Sequence, residues 1–267
     1  MTTAPPALAV TDLARSFDGF RAVDGVSFEV ARAEIVALIG PNGAGKTTTF
    51  NLVNGQLRPD RGRVMLAGRD VTGQGPSALW RQGVARTFQI TATYASMTVA
   101  ENVAVAMLPV AGTQAIWRLG RAPTLVAPEA LALIRDVGLE AFADRTCSTL
   151  AYGDLKRVEL AMALANQPRL LLMDEPTAGM AAAEREALMT LAVGAARKRG
   201  AAILFTEHDM GVVLRHADRV LVMSRGKLIA DGRPEAIRQN PLVREVYLGR
   251  SLVAADGAPK DRPKDAS

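Results

Sequence analysis

Cysteine is nearly absent from this sequence, since Cys147 is the single one among 267 residues. No disulfide bond can form within the chain, which fits a protein of a reducing compartment. We therefore expect Cys147 to be a buried, unreactive thiol. Aromatic residues are also scarce, at 4% of the sequence, which argues against numerous nucleobase-stacking platforms.

Long runs of basic residues are missing as well. Lys and Arg number 32 against 27 Asp and Glu, which gives a net charge of +5. This balance permits nucleic acid or an anionic membrane surface as a partner without arguing for either. No run of Lys and Arg is long enough to mark a dedicated basic arm. We expect no nucleic-acid partner.

The sequence also lacks an apolar segment long enough to cross a membrane. Its longest uncharged stretch, residues 102–117, is interrupted by Pro109, Gly112 and Gln114, whereas a spanning helix needs about 20 mainly apolar residues. Residues 1–6 do not combine a basic segment with a long apolar one, so we expect no secretory signal there. Any role at a membrane would therefore be peripheral.

Short apolar runs separated by glycine-containing turns predict a strand-rich N-terminal region. After residue 166, apolar runs alternate with a helical pattern at 182–199, which predicts a mainly parallel sheet with helices on its faces. Residues from about 90 to 166 have a helical pattern, and residues 250–267 are polar and charged, so we expect a disordered tail there. The predicted strands are 8–10, 26–30, 34–39, 64–67, 170–173, 201–205, 219–223 and 228–230.

The most specific motif is G-x-x-x-x-G-K-[ST] at residues 40–48, here called the phosphate loop. An apolar strand precedes it and a helix-competent stretch, 46–53, follows it, which is the context that this motif requires. Its glycines allow several backbone N–H groups to face one anion, and the helix N-terminus adds partial positive charge. We expect Lys46 to contact the β- and γ-phosphates of a nucleotide and the Thr47 hydroxyl to bind Mg²⁺.

Polar residues follow three further apolar strands. Asp174 and Glu175 end the strand at 170–173, at the sheet edge where ligands of parallel sheets bind. We expect Asp174 to hold Mg²⁺ and Glu175 to act as general base on the attacking water. His208 follows the strand at 201–205 and is placed to meet a γ-phosphate, whereas His216 is expected on a solvated helix face. Gln89 ends a strand at 84–89, where it would contact Mg²⁺ or the water.

In this order, these segments resemble the ATP-binding subunits of ABC transporters over roughly residues 8–248. Residues 150–154, Leu-Ala-Tyr-Gly-Asp, followed by a predicted helix at 155–166, correspond to the family's signature loop, usually written L-S-G-G-Q. The resemblance implies an α/β P-loop NTPase fold with an antiparallel β subdomain and an inserted helical subdomain at about 90–166. The ATPase domain would span residues 8–249.

The resemblance also implies the roles of individual residues. Phe17 would stack on adenine, Asp174 with Thr47 and Gln89 would bind Mg²⁺, and Glu175 and His208 would be catalytic. The family works as a dimer, so the signature segment of one subunit would contact ATP held by the other. The residues implied to bind ATP besides Phe17 and Gln89 are Gly40, Pro41, Asn42, Gly43, Ala44, Gly45, Lys46, Thr47 and Thr48, and across the dimer Ala151, Tyr152, Gly153 and Asp154.

The chain departs from the family pattern in two places. Ala151 replaces the usual serine of the signature, which removes one hydroxyl from the γ-phosphate site. Backbone N–H groups and the dipole of the helix beginning near Asp154 would still hold the phosphate. Residues 179–182, Gly-Met-Ala-Ala, lie where the D-loop usually carries Asp or Asn. This change puts communication between the two ATP sites in doubt, but not ATP binding.

Details of the sequence resemble branched-chain amino acid importers of the Liv type. These are the L-A-Y-G-D form of the signature, the segment Arg86-Thr87-Phe88-Gln89, and residues 232–249. The resemblance implies membrane permease subunits, a second ATPase subunit in a heterodimer or a homodimer and, indirectly, a periplasmic solute-binding protein as partners. It places the chain peripherally on the cytoplasmic face of the inner membrane. Importers of urea or other small solutes and lipopolysaccharide-export ATPases share parts of this pattern and stay open.

Two other classes remain as alternatives. A soluble ABC-type ATPase of translation or DNA repair usually carries tandem ATPase domains or a long coiled coil, whereas this chain has one phosphate loop and no sustained heptads. A small-molecule phosphotransferase also uses a phosphate loop, but the signature segment argues against it. The sequence does not identify the solute.

Overall fold

The computed structural model describes residues 4–87, 93–111 and 128–248. An antiparallel sheet in the N-terminal part contains β1 (Leu8–Phe17), β2 (Phe20–Val30), β4 (Arg61–Leu66) and β5 (Arg69–Asp70), in the order β2-β1-β4-β5. The predicted strand-rich region is confirmed, but β1 and β2 are longer than predicted. They form a hairpin around the Asp18-Gly19 turn, in which Phe17 pairs with Phe20.

A second sheet of six strands carries the polar strand ends. Its order is β10-β9-β3-β8-β7-β6; the first five strands counted from β6 are parallel, and β10 is antiparallel to β9. The strands β3, β7 and β8 are buried throughout, as expected for a sheet covered on both faces. The bounds are β3 (Ile35–Ile39), β6 (Val84–Thr87), β7 (Leu170–Asp174), β8 (Ala202–Thr206), β9 (Arg219–Ser224) and β10 (Lys227–Gly232).

Nine helices lie between or after these strands within the described residues. They are α1 (Lys46–Val53), α2 (Pro76–Arg81), α3 (Val99–Ala111), α4 (Pro128–Asp136), α5 (Tyr152–Leu164), α6 (Ala182–Arg199), α7 (Met210–His216), α8 (Pro234–Gln239) and α9 (Pro241–Val243). Shorter 3₁₀ turns lie at Glu140–Phe142 and Cys147–Thr149, and a π-helical turn at Arg244–Leu248. No helix of the described residues is long and apolar enough to span a bilayer.

The parallel sheet divides the core into two apolar layers. Alternate residues of one strand face opposite sides of the sheet. Ile35 and Ala37 therefore pack with helices α3 to α7, whereas Val36 and Leu38 pack with α1 and the antiparallel sheet. The predicted helical cover is therefore present on one face, while the other face is covered mainly by a second sheet. This burial on both sides fixes the register of the strands that carry the polar ends.

The helices α3, α4 and α5 lie between β6 and β7 in the chain. Thr98 and Glu101 begin α3 with a reciprocal capping box: Glu101 Oε2 accepts from Thr98 N at 2.8 Å, and Thr98 Oγ1 accepts from Glu101 N at 3.2 Å. Cys147 is buried among these helices, and burial raises the pKa of its thiol. Its predicted burial is confirmed.

Two predictions about helices are wrong. The helix at the signature segment begins at Tyr152 rather than Leu155, with Ala151 as its N-cap. Asp154 therefore lies in its first turn, where a negative charge interacts favourably with the helix dipole. His216 is not on a solvated face: its side chain is 9% exposed and its Nε2 lies 3.0 Å from Glu186 Oε1.

Candidate active site

The phosphate loop connects β3 to α1 in the predicted way. Gly45 is the N-cap of α1 with a φ of 101°, a conformation that side chains disfavour. A Cβ atom at Gly45 would lie 2.3 Å from the Ala22 carbonyl oxygen, and one at Gly40 would lie 2.3 Å from the Met223 carbonyl oxygen. Only glycine allows β2 and β9 to approach the loop this closely, so both glycines of the motif have a structural requirement.

Lys46 folds back over the loop that precedes it. Its Nζ atom donates to the Gly40 carbonyl oxygen at 2.7 Å and to the Pro41 carbonyl oxygen at 3.2 Å. Burial lowers the pKa of Lys46, and the negative charges of Glu175 and Asp174 oppose that shift. Lys46 therefore lies within the electrostatic reach of both carboxylates. The next side chain, Thr47, is exposed.

The sheet brings Asp174 to the same edge as the phosphate loop. Asp174 pairs with Thr206 in the register of β7 and β8, and Thr206 pairs with Leu38 of β3. Asp174 Oδ1 accepts from Thr206 Oγ1 at 2.7 Å, and its Oδ2 accepts from Arg86 Nη2 at 2.9 Å. Asp174 is buried, so these donors stabilise a charge that water reaches poorly.

Glu175 and His208 meet just beyond the strand ends. His208 Nε2 lies 2.7 Å from Glu175 Oε1, and both side chains are partly exposed. Glu175 has a φ of +47°, which is uncommon for a residue with a side chain. Thr206 holds this backbone, because its Oγ1 accepts from Glu175 N at 3.0 Å. The two residues predicted to be catalytic are thus in direct contact.

Sequence reasoning missed Glu207, which lies between Thr206 and His208. Glu207 is a buried carboxylate whose oxygens accept from Thr177 N and Oγ1, at 3.1 and 2.5 Å, and from His208 N at 3.1 Å. It connects the residues after Glu175 to the segment that carries His208. Because Glu207 is acidic and its sequence neighbours are polar, the sequence pattern did not indicate that it is buried or that it connects these two segments.

The signature segment lies at the surface near the D-loop segment of the same chain, residues 179–182. Ala151 and Tyr152 are exposed, whereas Gly153 and Asp154 are half-buried. Tyr152 Oη donates to the Ala178 carbonyl oxygen at 3.4 Å. Ala181 is the N-cap of α6 and offers no side-chain acceptor; Glu184 Oε2 accepts from Ala181 N at 3.3 Å, which completes half of a capping box.

Two further predicted site residues are Phe17 and Gln89. Phe17 is partly exposed at the end of β1, with the Arg15 guanidinium 5.0 Å from its ring centroid. Gln89 lies outside the described residues, as does the expected tail at 250–267. Within the described residues there is no group of three or more His, Cys, Asp or Glu side chains that could hold a metal.

Sequence profiles identify the family. The profile of the ABC transporter family matches residues 23–178, which is more than half of the chain. A second profile, described as branched-chain amino acid ATP-binding cassette transporter, matches residues 227–252. The first match includes the phosphate loop, the signature segment and Asp174 with Glu175.

Relatives and solved structures agree with the profiles. The high-affinity branched-chain amino acid transport ATP-binding protein BraF of Pseudomonas aeruginosa is 37% identical over 252 residues, covering 92% of this chain and 99% of its own length. LivG of Escherichia coli, with the same description, is 39% identical over the same share of both chains.

Two solved ATP-binding cassettes of ABC transporters share the fold. A nucleotide-free cassette has a TM-score of 0.78, and a cassette in an ADP conformation has a TM-score of 0.79; each is 30% identical and covers 91% of this chain, with 99% and 98% of their own lengths matched. The chain belongs to the ABC transporter family, as one of its ATP-binding and ATP-hydrolysing subunits.

Proposed function

We propose that the phosphate loop, Asp174, Glu175 and His208 form the ATP site of this subunit, within an ATPase domain of residues 8–249 with a helical subdomain at about 90–166. The observation that carries this proposal is the 2.7 Å contact between His208 and Glu175. It lies at a sheet edge where Lys46 is within the electrostatic reach of Glu175 and Asp174. The proposed general base Glu175, its partner His208 and the phosphate-binding Lys46 therefore lie at the same edge of the sheet.

Lys46 and the start of α1 bind the triphosphate of ATP in this proposal. In this structure the Nζ atom donates to two carbonyl oxygens of its own loop. A charged phosphate oxygen is a stronger acceptor than these carbonyl oxygens. ATP binding therefore redirects Lys46 from the loop to the β- and γ-phosphates. A Cβ atom at Gly43 would contact nothing within 4 Å, so the loop leaves open space there. Phe17 offers a partly exposed ring for adenine.

The available donors suit Mg²⁺. This ion prefers oxygen ligands and usually takes one or two from protein, with phosphates and water completing its shell. Thr47 offers an exposed hydroxyl and Asp174 a fixed carboxylate, while Gln89 is assigned by the family pattern. When bound, Mg²⁺ neutralises charge on the phosphates.

Glu175 and His208 carry out hydrolysis together. Glu175 accepts a proton from the water that attacks the γ-phosphorus, and His208 orients that carboxylate and donates to the γ-phosphate. The strained backbone of Glu175, fixed by Thr206, keeps its carboxylate at the strand end. Glu207 holds the backbone of His208 in place by accepting a hydrogen bond from its N–H group.

The second half of the ATP site comes from a partner ATPase subunit. Ala151 and Tyr152 are exposed at the N-terminus of α5, where backbone N–H groups attract a phosphate. We assign Ala151, Tyr152, Gly153 and Asp154 to ATP held by the partner. Two ATP molecules would then hold the dimer closed until hydrolysis. A related but different ATPase is the proposed partner, as is common in Liv-type systems.

A groove beside the site is proposed to receive a helix of the membrane permease. The described residues line an open groove of about 430 Å³ there. Its lining is mainly apolar, and Thr87 Oγ1 is buried in its wall without a hydrogen-bond partner among the described residues. An apolar helix with a polar group near Thr87 would satisfy both features. The lining includes Pro76, Leu79, Trp80, Val84, Val105, Ala106, Glu159 and Met162.

The proposed cargo is a branched-chain amino acid, delivered by a periplasmic binding protein and imported through the permease. Support comes from the names of the relatives and the profile at residues 227–252. This subunit would sit peripherally on the cytoplasmic face of the inner membrane. Import of urea or another small solute is the second candidate.

The experiment is transport in proteoliposomes that contain the permease, its binding protein and both ATPase subunits. We expect ATP-dependent uptake of labelled leucine, and Val105→Glu should abolish both uptake and copurification with the permease. Leu131→Glu, at an exposed position of α4, is the matched control. Leucine uptake that persists without ATP would refute the role of this subunit in driving transport. Copurification of Val105→Glu with the permease would refute the proposed docking groove.

A further inference from the structure

Arg86 joins two elements that carry the proposed Mg²⁺ ligands. Its side chain is 17% exposed and reaches three acceptors from β6. Nη2 donates to Asp174 Oδ2 at 2.9 Å, and Nη1 donates to Asn51 Oδ1 at 3.0 Å and Gln56 Oε1 at 2.9 Å. Asp174 ends β7, whereas Asn51 lies on α1 and Gln56 follows it.

The contact on α1 is close to Thr47 along the helix. Thr47 and Asn51 are four residues apart, so they occupy the same helix face. A connection from Asn51 through Arg86 to Asp174 therefore fixes the face of α1 that carries Thr47 relative to the Asp174 carboxylate. The connection is rigid at both ends, because Thr206 also holds Asp174 and because Asn54 Oδ1 accepts from Gln56 N at 3.0 Å.

Arginine suits this set of contacts better than lysine does. Its planar guanidinium offers several N–H donors in fixed directions, whereas lysine offers a single charged group. Asp174 is also buried, so the positive charge of Arg86, 2.9 Å away, offsets the cost of burying its carboxylate.

We propose that Arg86 is a positioning residue for Mg²⁺: it holds Asp174 and the Thr47 face of α1 at the separation that the metal requires. This inference rests on the proposed ATP site and adds to it a residue that binds neither nucleotide nor metal. Residues that support metal ligands typically change metal affinity by about 10- to 100-fold when they are replaced.

The test is the Mg²⁺ dependence of nucleotide binding in the full chain, followed with a fluorescent, non-hydrolysable ATP analogue. Arg86→Met should raise the Mg²⁺ concentration for half-maximal binding by about 10-fold, while binding in excess chelator stays as in the wild type. Arg86→Lys should recover part of the loss. Arg219→Met removes an arginine that pairs with Glu34 and Asp231 elsewhere, and should leave the Mg²⁺ dependence unchanged.

A second variant tests the connection from its other end. Asn51→Ala with Gln56→Ala removes the acceptors beside α1 but keeps Arg86 and Asp174, and should also raise the Mg²⁺ requirement. This variant decides the question if Arg86→Met does not fold. An unchanged or lower Mg²⁺ requirement in a folded variant would overturn the role of Arg86. Absence of Mg²⁺-dependent binding in the wild type would instead overturn the proposed ATP site.

Discussion

Thr177 and Glu207 are joined by two hydrogen bonds, from the backbone N–H and from the hydroxyl of Thr177, to a single carboxylate oxygen. Thr177 follows Glu175 by two residues, and Glu207 precedes His208. The pair therefore connects the two segments that bring Glu175 and His208 within 2.7 Å of each other. Since Glu207 is buried, loss of a donor leaves charge that water cannot easily compensate.

Replacing Thr177 with valine should destabilise the protein. The change removes the hydroxyl donor to Glu207, and we expect the free energy of unfolding to fall by about 1–3 kcal/mol. Urea denaturation measures this directly. Thr177→Ser keeps the hydroxyl and is the control, so equal stability of the valine and serine variants would contradict the proposed role of the hydroxyl bond.

Replacing Lys46 with alanine should weaken ATP binding. The ammonium group is the proposed partner of the phosphates, and a hydrogen bond to a charged group contributes about 1.5–3 kcal/mol, or roughly 10- to 100-fold in affinity. Isothermal titration with ATP measures the change. Lys198→Ala, which removes an exposed lysine paired with Asp136, should bind as the wild type does. Unaltered affinity of Lys46→Ala would exclude this contact.

The substitution Ala181→Asn should stabilise α6. Ala181 is the N-cap but has no side-chain acceptor, and an asparagine there supplies one for an N–H group of the first turn. We expect a gain of about 0.5–2 kcal/mol, observed as a higher melting temperature. Ala182→Asn, one residue further along at the first helical position, lacks the capping geometry and is the matched control. Equal melting temperatures of the two variants would refute the capping argument.

The sequence predicted the elements whose cause is local. The apolar run at 170–173 and the G-x-x-x-x-G-K-[ST] spacing at 40–48 each lie within a few consecutive residues, so the sequence pattern itself indicates a buried strand and a phosphate loop. The start of α5 was predicted three residues too late, since residues 150–154 were assigned to the signature loop, whereas the structure has a first helical turn from Tyr152. The Liv-type resemblance supplied the family, which the profiles then established.

Contacts between distant residues were not predictable from spacing. Arg86 and Asp174 are 88 positions apart and Glu175 and His208 are 33 apart, and their meeting depends on strand order in the sheet. The low exposure of Glu207 and His216 was not predicted either, because a charged or polar residue suggests an exposed side chain unless its partners are known. The buried carboxylate of Glu207 accepts from Thr177, and the imidazole of His216 lies against Glu186 of α6.

The most direct test of the account is the behaviour of Glu175→Gln. The amide keeps the size of the side chain but cannot accept the proton of the attacking water. We predict that this variant binds Mg²⁺ and ATP with wild-type affinity, while steady-state phosphate release falls by about 100-fold or more, the range expected for loss of a general base. Undiminished phosphate release by Glu175→Gln would contradict the assignment of Glu175 as the base.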